Sequence, residues 1–211
     1  LRVLTFNIRH CAGNDDVINY DRTAAVINGM EPDVVCLQEV DYMTTRSNKV
    51  DQLKTLADKT GMNYYFSKSI AYQGGEYGNG LLFKGTPIST KTYLLPGAEL
   101  RSAAIAEFEN YVVISTHLAL EENNRVESAK QLTDLVKTYN KVVYMAGDFN
   151  EDLMNGTFFT ELKKEWEVVS STENTFPTGQ ATKRIDFVVT LKTPPTIVVK
   201  SNVIYNLDGV N

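Results

Sequence analysis

The chain has 211 residues, which is long enough for one sizeable hydrophobic core. Hydrophobic residues make up 43% and charged residues 22% of the chain, proportions that exclude a disordered or fibrous protein. The net charge of −5 argues against a general basic surface for long nucleic acid. It does not exclude a nuclease, whose metal-binding carboxylates add negative charge of their own.

The first part of the chain is predicted to form strands with two helices between them. In chain order these are a strand near 2–8, a helix near 19–30, a strand near 33–39, a helix near 50–60, and strands near 63–67, 80–84, 88–94, 103–108 and 111–117. Asn19 or Asp21 can cap the first helix, and Gly61 stands where the second should end.

The second part opens with the clearest helix of the sequence, predicted over 121–139. Its apolar residues recur at helical spacing, as Ala129, Leu132 and Val136 show. The remaining predicted elements are a strand near 142–146, a helix near 158–165, and strands near 184–190 and 196–205. No repeat or linker is present, so residues 1–211 are predicted to form one domain of two packed sheets flanked by helices.

Neither a membrane span nor a secretion signal is visible in this sequence. No apolar run approaches the roughly 20 residues that cross a bilayer, and Leu1 opens directly into a predicted strand. We expect a monomer, secreted or periplasmic after signal removal in preference to cytoplasmic. Cys11 and Cys36 are too few for a disulfide framework, and Cys36 lies in an apolar run that predicts a core position.

Several apolar strands are predicted to end in residues that can bind metal or phosphate. These segments are Leu4-Thr5-Phe6-Asn7, Cys36-Leu37-Gln38-Glu39, Ile114-Ser115-Thr116-His117, Met145-Ala146-Gly147-Asp148-Phe149-Asn150 and Lys183-Arg184-Ile185-Asp186. Strands hold reactive groups rigidly, and ligands often gather where loops leave a sheet. The set therefore predicts metal-assisted hydrolysis of a phosphoester.

Each residue type has a role in that chemistry. Mg²⁺ takes one or two carboxylates, neutral oxygens and waters, which suits Glu39 and Asn7 as metal ligands. Asp148 can accept a proton from the attacking water, and Asn150 can hold that water or a phosphate oxygen. A carboxylate such as Asp186 commonly orients a partner imidazole in hydrolytic sites.

Four further residues are predicted to contact the phosphate. His117, Arg101 and Arg46 can supply fixed donors to phosphate oxygens. Asn79, between two glycines, is a weaker candidate for the same role. Each residue also has a structural interpretation: a hydrogen-bonded histidine, arginines in surface ion pairs, and turn chemistry at Asn79.

Other hydrolytic chemistries find no support in the motifs. The two histidines, His10 and His117, form no zinc-ligand pair, and the cysteines are poorly placed. The chain has neither a Gly-x-Ser-x-Gly elbow nor a Gly-x-x-x-x-Gly-Lys-Ser/Thr phosphate loop.

The order of these motifs resembles the endonuclease/exonuclease/phosphatase superfamily along the whole chain. The segments that carry the resemblance are Thr5-Phe6-Asn7-Ile8-Arg9, Leu37-Gln38-Glu39-Val40, Leu100-Arg101-Ser102-Ala103, Ser115-Thr116-His117-Leu118, Gly147-Asp148-Phe149-Asn150 and Lys183-Arg184-Ile185-Asp186-Phe187. The resemblance implies an α/β fold, a four-layer α/β/β/α sandwich of two mixed sheets. It also implies Mg²⁺ or Mn²⁺ as cofactor, with in-line attack of water on phosphorus.

The sequence departs from the family at its end. The family normally closes with Ser-Asp-His and a final strand, whereas this sequence ends in Asn206-Leu207-Asp208-Gly209-Val210-Asn211, with no histidine after His117. Two explanations stay open, a continuation beyond Asn211 that carries the motif or a truncated inactive form, and we expect the first. Asp186 would then orient the histidine of that motif.

The leading hypothesis is a Mg-dependent hydrolase of a small phosphomonoester, a phosphodiester or a lipid headgroup. The acidic composition and the lack of a basic aromatic stripe favour such substrates over bulk DNA. The alternatives are a nuclease acting on DNA or RNA, and a catalytically inactive binding domain on the same fold.

Overall fold

The computed structural model describes residues 1–193 of the chain; the strand predicted over 196–205 and the segment 206–211 lie outside the described residues. In chain order the elements are β1 (Val3–Asn7), a 3-10 turn (Arg9–Cys11), α1 (Tyr20–Met30), β2 (Val34–Tyr42), α2 (Gln52–Thr60), β3 (Asn63–Tyr72), β4 (Gly75–Phe83), β5 (Ser89–Leu95), β6 (Arg101–Glu107), β7 (Tyr111–His117), α3 (Glu122–Val136), β8 (Val142–Asp148), α4 (Thr157–Leu162), β9 (Trp166–Val168) and β10 (Asp186–Leu191).

The strands form two mixed sheets. A four-stranded sheet has the order β1-β2-β4-β3, and a six-stranded sheet has the order β5-β6-β7-β8-β10-β9. The pairs β1–β2 and β7–β8 are parallel, whereas the other pairs are antiparallel. Because β1 and β2 run together, as do β7 and β8, each pair delivers two strand ends to the same edge of its sheet.

The two sheets pack face to face over a shared apolar core. Val34, Cys36 and Leu81 of the four-stranded sheet lie in one buried cluster with Ala104 and Val113 of the six-stranded sheet. Strands covered on both faces need apolar residues at successive positions, which explains why β2 and β7 show unbroken apolar runs in the sequence.

The helices cover the two outer faces. Ile27 of α1 and Leu56 of α2 are fully buried in a cluster with Leu37 of β2, on the outer side of the four-stranded sheet. Leu132 of α3 and Phe158 of α4 are buried in the largest cluster, on the outer side of the six-stranded sheet. The layers are therefore α/β/β/α, as the resemblance implied.

Helix ends follow the local sequence signals. The side chain of Asn19 accepts a hydrogen bond from the Arg22 amide and caps α1, so Asn19 rather than Asp21 is the cap. Gly61 ends α2 in the left-handed conformation, with φ of 67°. The helix predicted near 158–165 is shorter in the structure, and the short strand β9, which follows it, was not predicted.

The β3–β4 hairpin is longer than the sequence predicted. The predicted strands 63–67 and 80–84 extend toward each other and meet at a turn formed by Gln73 and Gly74, which both have positive φ. Gly78, next to Asn79, for which turn chemistry was one interpretation, lies within β4, where a Cβ would overlap the Ser67 carbonyl oxygen. Close backbone approach, not a turn, requires glycine there.

The expectations about the cysteines and about membrane spans can be compared with the described residues. Cys11 and Cys36 are buried and free, in agreement with the absence of a disulfide framework. Within residues 1–193, none of the helices combines the length and the apolar character of a transmembrane span.

Candidate active site

The residues predicted to bind the metal and to activate or hold the attacking water meet at one end of the two-sheet sandwich. Asn7 is the last residue of β1 and is paired in register with Gln38, directly before Glu39. His117 and Asp148 end β7 and β8 and face each other in the parallel register. The topology thus brings residues that are more than 140 positions apart in the sequence to one edge.

The side-chain amide of Asn7 joins the two sheets. Its Nδ2 donates to Glu39 Oε1 at 2.9 Å and to Asp148 Oδ2 at 3.2 Å. Its Oδ1 accepts from the backbone amide of Arg9 at 3.1 Å. Asn7 therefore holds two carboxylates from different sheets at one point.

A β-bulge places Glu39. The register of β2 against β4 shifts between Leu37 and Val40, and Glu39 takes a left-handed conformation with φ of 59°. Such a conformation is uncommon for a residue with a Cβ and is held here by the surrounding strands. Glu39 was predicted to end its strand, but β2 continues to Tyr42 and Glu39 lies at a bulge inside it, while Leu37 and Val40 stay fully buried.

The donor set at Glu39 fits a hard cation with few protein ligands. Among residues 1–193, no three carboxylate, histidine or cysteine side chains converge as a metal-binding group. Mg²⁺ commonly uses one or two carboxylates and takes waters and substrate phosphate oxygens for the rest of its octahedron. Glu39 with the neighbouring Asn7 side chain would be such a set.

His117 is buried beside Asp148. Its Nε2 lies 3.8 Å from Asp148 Oδ2, and its side chain is 10% exposed. Burial, and then the charge of Arg101, lower the pKa of His117 to about 4. The imidazole is therefore neutral at neutral pH and is suited to hydrogen bonding rather than to an ion pair.

Asp148 is also removed from solvent. Burial raises its pKa, while hydrogen bonds from the Asn150 amide and the Asn7 side chain oppose that shift. The raised pKa makes Asp148 a better proton acceptor than an exposed aspartate. Gly147 precedes it, and a Cβ there would overlap the carbonyl oxygen of Thr116 on β7.

Asn150 stabilises the turn that follows β8. It has φ of 50°, and its Nδ2 donates to the carbonyl oxygen of Leu118 at 2.9 Å. Phe149 between the two polar residues is fully buried and stacks on Phe187. The Gly147–Asn150 motif is thus one aromatic anchor with two polar side chains at the site edge.

Asp186 opens β10 directly opposite Asp148 in the antiparallel register. Burial, followed by the charge of Asp148, raises its pKa to about 7. Its backbone amide donates a hydrogen bond to the hydroxyl oxygen of Thr175 at 3.2 Å. The structure therefore places a second buried carboxylate beside the first.

Arg101, another predicted phosphate ligand, lies near enough to His117 and Asp148 for its charge to act on both. Its side chain is 9% exposed and its Nη1 lies 3.1 Å from Glu99 Oε1. Its Nε is buried and forms no hydrogen bond with any of the described residues. Because buried guanidinium groups are costly without partners, this nitrogen is a ready donor for an anion.

Arg46 and Asn79 have structural partners. Arg46 forms two 2.8 Å hydrogen bonds with the fully buried Asp41. Asn79 lies inside β4 rather than in a turn, is 1% exposed, and donates to the carbonyl oxygen of Ser102 at 2.7 Å. Neither arrangement tests phosphate binding, which stays a prediction for both residues.

A sequence profile of the Endonuclease/Exonuclease/phosphatase family matches residues 4–201 of the chain. The chain belongs to this family. No curated protein matches it in sequence. The family comprises phosphoester hydrolases, and the two-sheet fold and the order of strand-end motifs agree with membership.

Several solved structures share the fold. An endonuclease/exonuclease/phosphatase from Beutenbergia cavernae DSM 12333 superposes with a TM-score of 0.72 at 20% identity, over 91% of this chain and 64% of its own. This chain therefore spans less than two thirds of that structure's length. A mannosyl-6-phosphatase from Bacteroides thetaiotaomicron VPI-5482 gives a TM-score of 0.73 at 17% identity, covering 92% and 86%. The human Nocturnin catalytic domain gives 0.63 at 16% identity, covering 91% and 83%.

Sequence reasoning gave no site role to His10 and Asp41. Three consecutive residues, Arg9, His10 and Cys11, have positive φ, and this strained turn holds His10 where the charges of Arg46, Asp41 and Glu39 all act on its imidazole. The Nδ1 of His10 is buried without a hydrogen bond to the described residues. No periodicity signals such a turn, although Asp41, two positions after Glu39, was a detectable carboxylate.

Proposed function

We propose that this family member is a divalent-metal-dependent hydrolase that cleaves phosphoester bonds of small molecules or lipid headgroups by attack of water on phosphorus. The observation that carries the proposal is the Asn7 amide, which holds Glu39 and Asp148 together at 2.9 and 3.2 Å beside the buried His117. Hydrolysis of a phosphoester needs a cation position, a proton acceptor and donors to phosphate, and these residue types supply all three.

Glu39 and Asn7 would hold the cation, Mg²⁺ or Mn²⁺. When bound there, the cation polarises a phosphoryl oxygen and neutralises the charge that develops in the transition state. The Glu39 carboxylate, at the bulge of the largely buried strand β2, limits where the cation can lie.

Asp148 would take the proton of the attacking water. Its raised pKa and its fixed geometry, with Oδ1 on the Asn150 amide and Oδ2 on Asn7, suit this role. Asn150 would position the water or a phosphate oxygen. Asp186 is a carboxylate able to orient an imidazole supplied to the site, the role that the family resemblance implies.

His117 and Arg101 would hold the phosphate. The neutral imidazole of His117 can donate one hydrogen bond, and Arg101 has a buried Nε that lacks a partner among residues 1–193. Donors placed in a desolvated site stabilise phosphoryl charge more than they would in water.

The charge pairing around the site favours a small phosphoester over nucleic acid. Several cations near the strand ends are already matched by carboxylates: Arg9 by Asp16, Arg46 by Asp41, Arg101 by Glu99 and Lys183 by Asp152. Binding of nucleic acid relies on lysines and arginines that neutralise successive phosphates. Nuclease activity is the second candidate, since the family includes nucleases.

The proposal is tested by comparing two substrates with and without EDTA. We expect Mg²⁺-dependent hydrolysis of bis(p-nitrophenyl) phosphate that EDTA abolishes, and little nicking of plasmid DNA under the same conditions. Efficient plasmid cleavage would favour the nuclease. Binding of Mg²⁺ or inorganic phosphate without turnover of either substrate would favour an inactive binding domain.

A further inference from the structure

A cluster of polar and aromatic side chains borders the site on the side of the four-stranded sheet. We call Asp41, Arg46, Tyr72 and Tyr77 the Arg46 cluster. Asp41 follows Glu39 on β2 by two positions, and the two tyrosines belong to the β3–β4 hairpin. The proposed phosphate ligands Arg101 and His117 belong to the other sheet.

The guanidinium of Arg46 is fixed in position. Its Nε and Nη2 each donate to one oxygen of Asp41 at 2.8 Å, and Asp41 has no solvent exposure. The Asp41 carboxylate is itself held by the Thr44 hydroxyl at 2.7 Å. A planar guanidinium that is already hydrogen-bonded through two nitrogens loses little further conformational freedom when it binds a ligand.

Aromatic rings cover the guanidinium. Its central carbon lies 4.7 Å from the ring centre of Tyr72 and 5.5 Å from that of Tyr77. The side chain is still 27% exposed. Nη1 forms no hydrogen bond within residues 1–193 and is not among the buried unpartnered atoms, so it remains open to solvent.

The cluster lies next to the proposed metal position. Tyr77 is paired with Asp41 across β2 and β4, and Asp41 follows Glu39 by two positions on β2. The charges of Glu39, Arg46 and Arg101 all act on the Tyr77 ring. The organic part of a phosphoester bound between Glu39 and Arg101 would therefore have the Arg46 cluster beside it on the four-stranded sheet.

The charge of the cluster excludes a substrate alcohol that carries a second phosphate. The positive charge of Arg46 is matched by the carboxylate of Asp41. A second phosphate needs surplus positive charge, which the cluster does not offer. A neutral hydroxyl group needs only fixed donors and an aromatic surface, which the cluster does offer.

We propose that the Arg46 cluster is the subsite for the alcohol part of the substrate, and that it selects an uncharged, hydroxyl-rich alcohol such as a sugar or polyol. The inference rests on the proposed phosphoester hydrolysis and names its substrate class. Arg46 acts here as a specificity-determining residue that donates through Nη1 to a substrate hydroxyl, and the tyrosine rings limit the space beside it.

The test compares three phosphomonoesters: glucose 6-phosphate, glucose 1,6-bisphosphate and phenyl phosphate. In the wild type we expect kcat/KM to be highest for glucose 6-phosphate. Arg46→Lys keeps a charge for Asp41 but removes the fork. It should lower kcat/KM for glucose 6-phosphate at least tenfold more than for phenyl phosphate, mainly through KM. Tyr72→Leu leaves the Arg46–Asp41 pair in place and should act in the same direction.

Arg22→Lys is the matched control, since Arg22 of helix α1 forms two similar hydrogen bonds with the carboxylate of Asp15. It should change the ratio of the two kcat/KM values by less than twofold. If Arg46→Lys fails to fold, Tyr72→Leu decides alone. An unchanged ratio in the folded cluster variants overturns the subsite, as does a wild-type preference for the bisphosphate.

Failure of the subsite and failure of the proposed function give different results. A wild type that hydrolyses bis(p-nitrophenyl) phosphate but not glucose 6-phosphate rejects the subsite and leaves phosphoester hydrolysis standing. A wild type that hydrolyses none of these compounds in Mg²⁺ rejects both.

Discussion

Asp186 lies directly opposite Asp148 across the antiparallel pair β10–β8, so two buried carboxylates share one position of the sheet. Burial raises the pKa of both groups, and the charge of Asp148 raises the pKa of Asp186 further, to about 7. Like charges held this close disfavour simultaneous ionisation. Near neutral pH, ionisation of Asp148 therefore favours the protonated form of Asp186.

The stability of the fold should depend on Asp186 in a defined direction. Its pKa is about 7 in the folded chain against 3.8 in the reference state, so its contribution is complete below pH about 4 and is lost as the pH rises to about 7. Asp186→Asn removes this loss. Urea unfolding in EDTA measures the free energy of unfolding at each pH. Between pH 4 and pH 8 this free energy should rise in the variant, relative to the wild type, by more than about 1 kcal/mol, because each pKa unit corresponds to about 1.4 kcal/mol. Parallel curves would contradict the assignment.

His117 should act in the opposite direction. Its pKa falls from 6.5 to about 4 on folding, so its contribution is complete above pH 6.5 and is lost as the pH falls toward 4. The free energy of unfolding of His117→Gln should therefore rise relative to that of the wild type when the pH is lowered from 7 to 4. The measurement is again urea unfolding in EDTA, and a variant that loses ground at low pH would show that the imidazole is charged in the folded chain.

Asp148→Asn should remove most turnover without unfolding the chain. General-base catalysis contributes about 10²- to 10⁴-fold, so kcat for bis(p-nitrophenyl) phosphate should fall at least about 100-fold. Asp152→Asn, which alters a partly exposed carboxylate four positions later, is the control and should keep the wild-type rate. Circular dichroism checks the fold, and an unchanged kcat in Asp148→Asn would reject its role as proton acceptor.

Glu39→Gln should weaken binding of Mg²⁺. The change removes the negative charge that attracts the cation and keeps the size of a side chain on a left-handed residue. Isothermal titration calorimetry should show at least a tenfold rise in Kd. Glu76→Gln, which removes an exposed partner of Lys68, should leave Kd within twofold of the wild type. Equal affinities in Glu39→Gln and wild type would place the cation elsewhere.

Gly147→Ala should destabilise the sheet. The new methyl group would overlap the carbonyl oxygen of Thr116, and Thr116 and Gly147 are paired across β7 and β8, whose backbones cannot easily separate. Overpacking of this kind costs about 1–3 kcal/mol. Gly85→Ala is the control: its φ of 77° also disfavours alanine, but no atom lies within 4 Å of the new Cβ. Thermal unfolding should rank Gly147→Ala below Gly85→Ala.

Regular elements were predictable where one local signal dominates. The helix over 122–136 follows from apolar spacing, and β7 and β8 follow from buried runs that end in polar residues. The hairpin was underestimated because the glycines of β4 signal turns in a single sequence. Their need for close contact with the Ser67 and Tyr42 backbones appears only once the strands are paired.

The site was predictable as a set of strand ends, since parallel pairing brings such ends together. The hydrogen-bond and ion-pair partners of its side chains could not be predicted from the sequence. The pairing of Arg46 with Asp41 depends on how the intervening loop turns, and sequence separation carries no sign of it. The bridge from Asn7 to Asp148 spans two sheets, and the roles of the predicted residues stay predictions until they are tested.

That bridge couples the docking of the two sheets to the proposed activity. Asn7 and Glu39 belong to one sheet and Asp148 and His117 to the other, so neither sheet alone contains both the proposed cation position and the proposed proton acceptor. A chain with two well-formed but undocked sheets would show native secondary structure by circular dichroism but no turnover. During refolding, the return of turnover should therefore lag behind secondary structure and time the moment when the sheets meet.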